Sequence, residues 1–285
     1  MSSPNLRIGV PSKGRLHDLA VNLLAEAGLH FRQSSRSLFA RARGMDVDVT
    51  FLRTDDIPVL CAVGAIDLGI TGGDLVAESG ADVDVRKELG VGACRLAVCV
   101  PDSADVASPA DLVGARVATS FPRLTSEFFA QHGVEAQTVT LSGSVEVMIA
   151  LGVADAIVDL VETGSTLAAN GLRLLADIGN YQTLLIQNRQ RRHADLADRL
   201  VRRIEGVVIA RSYSLLEYNI PRENLAAAEK ITPGFNSPTV SALEDGSWCA
   251  VQVMVPRNQV IDVMDRLEAI GASAILETAI ANCRL

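Results

Sequence analysis

Short apolar runs rich in Val and Ile alternate along the chain with segments whose apolar positions recur at helical spacing. The run LRIGVP is followed by helix-period RLHDLAVNLLAEAG, then by VDVTFLR, IPVLCAVG and DLGITG. Period-two or continuous apolar runs read as strands and 3.6-period segments as amphipathic helices, so the alternation predicts an α/β sheet. In the first helical segment Leu16, Leu19, Ala20, Leu23 and Leu24 share one face, and Gly28 supplies a stop.

A second α/β set follows. CRLAVCVP reads as a strand, SPADLVG as a helix opened by Ser108 and Pro109, and RVATS as a strand. TSEFFAQHG and SVEVMIALG continue as helices, with QTVTLS and DAIVDLV as strands. TLLIQN then reads as a return strand and ADLADRLVRRIEG as a helix, and these two fit either lobe of a two-lobed α/β core with a cleft between its halves. From about Ser212 the order becomes strand, helix, two strands, helix and strand (SYSLLEYNI, RENLAAAEKI, TVSALED, CAVQVMVP, NQVIDVMDRLEAIG, AILETAI), which is the βαββαβ ferredoxin-like arrangement.

The chain has 285 residues, 48% of them hydrophobic, enough for two or three domains without disulfide staples. A formal charge of -8 argues against a nucleic-acid binder, which needs a basic face. The six arginines between 189 and 203 are interleaved with Asp195, Asp198 and apolar positions, as on a solvated helix face. The five cysteines at 61, 94, 99, 249 and 283 are scattered without metal-ligand spacing and read as reduced core thiols. With no apolar leader near the N-terminus and no apolar stretch of membrane-spanning length, the expected location is the cytoplasm, with no membrane partner.

Two segments carry chemistry. In DLVETGSTL, residues 159–167, an apolar strand delivers Asp159 and then hands over to Thr163, Gly164, Ser165 and Thr166 at the opening of a helix. Small residues, hydroxyls and a helix N-terminus suit a phosphate, and an ionised carboxylate suits the vicinal hydroxyls of a ribose. An ordinary capped helix start is the competing reading. In PSKGRL, residues 11–16, Lys13 and Arg15 flank Gly14 after another strand and would suit a polyphosphate. A basic surface loop fits equally, and the spacing is not that of a Walker-type NTPase. Arg53 in FLRTDDI and Asp74 in TGGDL also fall at strand ends, where a parallel sheet gathers ligands. His17, His30, His132 and His193 have no Ser or Cys companion, so a chemistry without a protein nucleophile is expected.

Taken together, LRIGVPSKGRL, FLRTDDI, DLGITGGDLV, EVMIALGVADAIVDLVETGSTL, ITPGFNSPTVSAL and the final CRL resemble the long form of ATP phosphoribosyltransferase along the whole chain. The resemblance implies a two-lobed catalytic core of the periplasmic-binding-protein type followed by an ACT-like βαββαβ regulatory domain. Lobe I would span 1–93 and 183–211, lobe II 94–182, and the regulatory domain 212–285. The implied reaction joins ATP to phosphoribosyl pyrophosphate with release of pyrophosphate, the first step of histidine biosynthesis, with Mg²⁺ on the substrate phosphates.

The resemblance further implies that phosphoribosyl pyrophosphate meets Asp159, Glu162, Thr163, Gly164, Ser165, Thr166 and Leu167, with Glu146 and Asp155 flanking the loop. ATP would meet Lys13, Gly14, Arg15, Arg53, Asp74 and Phe121, the last standing where relatives often carry Tyr. Feedback inhibition by histidine would use Asn219, Phe235, Thr239, Ser273 and Ala274, and AMP would be a second inhibitor. A homo-oligomer, dimer to hexamer, is implied. The alternatives are a non-catalytic two-lobed binding protein and a phosphoribosyltransferase for another acceptor.

Overall fold

The computed structural model describes residues 5–32, 37–162 and 164–284. By density of internal packing the chain divides into two compact units, one of residues 1–21 and 30–197, the other of residues 22–29 and 198–285.

The first unit opens with β1 (Leu6–Pro11), α1 (Arg15–Glu26), β2 (Phe39–Arg41), β3 (Val47–Leu52), α2 (Asp56–Ala62), β4 (Leu68–Gly72), α3 (Gly73–Ser79) and β5 (Val83–Glu88). The chain then crosses into β6 (Cys94–Pro101), β7 (Arg116–Thr119), α4 (Pro122–Gln131), β8 (Gln137–Thr140), α5 (Val147–Ala150), β9 (Ala156–Val161), α6 (Ser165–Ala169) and β10 (Leu172–Tyr181). It returns through β11 (Thr183–Asn188) and enters α7 (Ala194–Ser212).

These strands make two sheets, ordered β2-β3-β1-β4-β11-β5 and β10-β6-β9-β7-β8. Their central strands are nearly continuous apolar runs because both faces are covered, and Leu6, Ile8, Val10, Leu68, Ile70, Leu185 and Ile186 are essentially inaccessible. Two crossings join the sheets, from β5 to β6 and from β10 to β11, which is the two-lobed topology of periplasmic binding proteins. TLLIQN therefore belongs to the first sheet, antiparallel to both β4 and β5.

Several elements differ from the sequence reading. SPADLVG closes as a single 3-10 turn at Pro109–Leu112, and SVEVMIALG keeps only the four residues of α5. Each is too short to carry a core-facing stripe and is stopped by a following left-handed glycine, Gly114 or Gly152. Strand β10 was hidden from the pattern because register irregularities between Leu174 and Ala176 and between Asp177 and Gly179 break its alternation. The arginine run is not one helix face: Arg189, Arg191 and Arg192 precede α7, and Arg189 and Arg191 lie 3.0 and 2.9 Å from Asp82 and Asp84 respectively.

The second unit contains β12 (Tyr213–Pro221), α8 (Leu225–Ile231), β13 (Thr239–Ala242), β14 (Trp248–Pro256), α9 (Val260–Ala269) and β15 (Ser273–Ala279). Its sheet runs β13-β14-β12-β15, the ferredoxin-like order. Burial alternates strictly along β12 and β14, so Leu216, Tyr218, Ile220, Val251, Val253 and Val255 share a core with Val260, Val263 and Leu267 of α9. The Tyr218 hydroxyl stays inside that core by bonding Thr232 Oγ1 at 2.7 Å. All five cysteines are free, with Cys61, Cys99 and Cys249 buried. Among the described residues no helix is long and apolar enough to cross a membrane.

Candidate active site

In the first sheet β1, β3 and β4 are parallel, so their C-terminal ends deliver three loops to one edge. After β1 come Lys13, Gly14 and Arg15. Gly14 sits at φ +81°, a conformation that costs a side-chain-bearing residue, and its carbonyl accepts the His17 N–H at 3.0 Å as α1 begins. The Arg53 side chain after β3 is 75% exposed and touches Asp55 only at 3.9 Å, which leaves it available to a ligand. Asp74, in the first turn of α3, is buried, and burial raises its carboxyl above the ordinary range while its own N–H and that of Leu75 pull the other way.

In the second sheet β9 lies parallel to β7 and brings Asp159 toward its C-terminal end. Asp159 Oδ1 accepts the Leu160 N–H at 2.8 Å, and burial, with a smaller contribution from the Glu146 charge, pushes the carboxyl upward. Asp159 and Glu146 are thus near enough for the charge of one to be felt by the other. Gly164 follows at φ +78°, then the short α6 with Ser165, exposed Thr166 and half-buried Leu167, which anchors the loop against the core. Thr163 lies outside the described residues.

The two edges meet. Arg15 donates Nη1 to Glu162 Oε2 at 3.0 Å and Nη2 to Glu162 Oε1, a fork-to-fork pair between the loop after β1 and the loop after β9. The pair holds Arg15 further above, and Glu162 further below, their ordinary pKa values. Cys94, at the start of β6, feels Asp74, Glu162 and Arg15, and burial first and these charges second leave its thiol pushed up to about 11. Arg15, Asp74, Cys94 and Glu162 therefore line one region. A carboxylate aimed at Arg15 does not itself recognise phosphate, so Glu162 acts here on the cation.

Two expected residues stand elsewhere. Asp155 lies just before β9, at the end of the strand away from the loop, where Arg116 grips it through Nε at 3.0 Å, Nη2 at 2.8 Å and the backbone N–H at 2.9 Å. These bonds lower its pKa to about 2. Because the folded value lies below the ordinary carboxylate value, this contribution is complete above about pH 4 and is lost as pH falls through about 2. D155N is thus expected to lower the thermal midpoint at neutral pH, with the difference from wild type closing toward pH 2 and the KM of either substrate unmoved; thermal unfolding against pH together with steady-state kinetics checks this. Phe121 is 5% exposed and packs with Phe128, Phe129 and Val158, so here its ring is part of the core rather than a stacking face.

Three residues of this region escaped the sequence reading. Glu78 reaches from α3 to the start of α4, accepting the Arg123 and Leu124 N–H groups. Tyr181 closes β10, and burial followed by the charges of Asp74, Glu78, Cys94 and Glu127 raises its phenol. Cys94 is the third. Asp74 and Glu78 are four apart on one helix face, a spacing from which Glu78 could have been picked out; nothing comparable marks Tyr181 or Cys94.

In the second unit Asn219, Thr239 and Ala274 line a cavity of about 380 Å³ with Glu217, Ser241 and Gln252. Ser273 pairs with Asn219 across β15 and β12, and an extra residue in β15 beside Ala274, at φ +49°, loosens the ladder there. Phe235 does not join them: it packs on Tyr213 at 5.0 Å between ring centroids and lines a separate cavity of about 280 Å³.

Comparison with known proteins bears on both units. Residues 53–206 match the family described as ATP phosphoribosyltransferase, and residues 210–282 match its C-terminal domain. A protein of Rhodopirellula baltica named ATP phosphoribosyltransferase is 63% identical over 98% of this chain and 94% of its own length. One of the same name from Saccharopolyspora erythraea is 44% identical over 98% of this chain and all of its own length. Among solved structures, the ATP phosphoribosyl transferase (HisG:HisZ) complex of Thermotoga maritima contains a chain that superposes with a TM-score of 0.66 at 25% identity, covering 73% of this chain and 99% of that one.

Proposed function

This chain belongs to the ATP phosphoribosyltransferase family, the enzymes of the first step of histidine biosynthesis, and we propose that it joins ATP to phosphoribosyl pyrophosphate across the facing edges of its two sheets. The observation that carries this placement is the Arg15–Glu162 pair, which sets the loop after β1 against the loop after β9. Asp159 and Glu146 take the ribose hydroxyls, the backbone of residues 164–167 and the Thr166 hydroxyl take the 5-phosphate, and Lys13, Arg15 and Arg53 take the polyphosphate.

N1 of the adenine attacks C1 of the ribose while the C1–O bond to pyrophosphate breaks, through an oxocarbenium-like state with inversion. In this reading the described residues position both substrates and screen charge. They also hold no cluster of three or more metal-ligating side chains, and the hard carboxylate oxygens of Asp159 and Glu146 are a donor set that fits Mg²⁺ carried largely by substrate phosphates. When bound there, Mg²⁺ supplies charge neutralisation on the leaving pyrophosphate.

Mixing ATP, phosphoribosyl pyrophosphate and Mg²⁺ and following the ultraviolet absorbance of the adduct tests the reading. Accumulating product is expected, and absence of product overturns it. T166A is expected to raise the KM for phosphoribosyl pyrophosphate about tenfold, the scale of one lost hydrogen bond to a charged group, with the KM for ATP unchanged.

The second unit is proposed to bind histidine at the cavity of Asn219, Thr239 and Ala274, with Ser273 opposite. AMP, sharing the adenosine part of ATP, competes on the nucleotide side. Titrating the rate with histidine at fixed substrate is expected to give progressive inhibition; a flat titration confines this unit to assembly of the homo-oligomer. The working location is the cytoplasm.

A further inference from the structure

The two sheets are fastened at a place that none of the substrate-facing residues occupies. Helix α3 follows β4 of the first sheet and begins at the crossing, where the Gly73 N–H bonds the Gln182 carbonyl at 2.8 Å. Five residues on, roughly 7.5 Å along the helix axis, the Glu78 carboxylate leaves α3 for the second sheet's helix α4. One oxygen accepts the Arg123 N–H at 2.8 Å and the other accepts the Leu124 N–H at 3.0 Å. Arg123 answers by donating Nη1 to the Ala77 carbonyl at 3.2 Å, at the C-terminal end of α3, and is itself steadied by Glu127, which Nε meets at 2.8 Å.

Each bond replaces a cap the sequence omits. The residue ahead of α4 is Phe121, followed by Pro122 at the first helical position, and Phe121 has no side-chain oxygen for the free N–H groups of the first turn. A carboxylate from the other sheet's helix therefore does the work that Ser, Asp or Asn does locally in most helices, with a charge of the sign a helix N-terminus favours. Conversely the last turn of α3 contains no basic residue, and Arg123 brings one to its carbonyls. The exchange is reciprocal and crosses from one sheet to the other. Leu75, one residue past Asp74, packs into the same second-sheet core that holds Phe121 and Tyr181.

We propose that Glu78 and Arg123 form an interlobe clasp: positioning residues that set the separation of the two edges and so the affinity for both substrates, without touching either. The strands at the crossings and the exposed Arg15–Glu162 pair, worth little against water, would leave the lobes free to rotate. A second fastening one helix-length away removes that freedom and holds Asp74, at the base of the same helix, in register with the loop after β9. This inference rests on the reading that both substrates lie between the two edges.

The experiment compares wild type with E78A, E78Q and R123A as full-length proteins. Amide hydrogen exchange of the peptide covering residues 120–126 reads the clasp without any substrate, and faster exchange in E78A is expected. Initial-rate kinetics are expected to give KM values for ATP and for phosphoribosyl pyrophosphate that rise together by about tenfold in E78A, with kcat within about twofold, because a smaller closed population weakens every ligand by the same factor. E78Q, which keeps one acceptor oxygen, is expected to fall between E78A and wild type. A rise in only one KM would mean direct contact and overturn the proposal, as would unchanged KM values beside faster exchange, or unchanged exchange. If wild type forms no adduct the placement of the substrates fails instead, and the exchange result still decides whether the clasp exists.

Discussion

Replacing Asp159 with Asn is expected to reduce kcat/KM for phosphoribosyl pyrophosphate by about a hundredfold or more while leaving the fold intact. The size follows from what the carboxylate does. On the proposed placement an ionised, acceptor-only carboxylate takes bonds from two neighbouring hydroxyls, and bonds to a charged acceptor are worth about 1.5–3 kcal/mol each, so losing charge and one acceptor costs roughly two powers of ten. Asparagine also turns an amide donor toward hydroxyls that were donating. The side chain is half-buried and its bond to the Leu160 N–H is local, so thermal stability should barely move. The pH dependence carries a second check. Burial and Glu146 hold the Asp159 carboxyl above the ordinary range, and binding needs it ionised. Affinity for phosphoribosyl pyrophosphate should therefore fall on acidification at a higher pH than an ordinary carboxylate would dictate, and D159N should lose that limb. Isothermal titration of phosphoribosyl pyrophosphate against pH measures both, and an unaltered dissociation constant in D159N would remove the residue from the site.

The second large effect is expected at Arg15. R15A should lower kcat/KM by about a hundredfold and R15K by about tenfold, since a lysine keeps the charge and loses the planar fork. The Arg15–Glu162 pair is no obstacle to substrate: the side chains are 66% and 49% exposed, and such pairs are worth little against water and salt. A polyphosphate brings more charge and more oxygens than Glu162 does. Steady-state kinetics at two ionic strengths separates the contributions. The wild-type KM should rise with salt and that of R15A should rise less, and equal salt dependence would show that Arg15 faces no anion.

Much of this was legible because the local pattern and the tertiary demand agree. Strands covered on both faces read as unbroken apolar runs, and the alternation in β12 and β14 announces a sheet with helices on one face only. The strand-end positions of Lys13, Arg15, Arg53 and Asp74 were legible because β1, β3 and β4 are parallel and end on one edge of the first sheet, and that of Asp159 because β9 runs parallel to β7 in the second. What stayed hidden depended on partners distant in sequence. Arg15 and Glu162 are 147 residues apart, and Glu78 and Arg123 are 45 apart. Asp155 looked like part of the loop because it is close in sequence, whereas four residues of strand carry it roughly 13 Å from Asp159 to the opposite end of the sheet. Phe121 was given a nucleotide-side place by the resemblance, as the residue standing where relatives often carry Tyr, yet it is buried with its neighbours Phe128 and Phe129.

The Arg15–Glu162 pair has a kinetic side as well. Glu162 is a tethered anion paired with the guanidinium, so on the proposed placement a phosphate that binds Arg15 exchanges for it rather than simply adding. The same competitor stands ready when pyrophosphate has been formed and must leave. Because the pair is exposed and worth little against water and salt, the exchange adds little cost for a polyphosphate on entry or for the product on leaving.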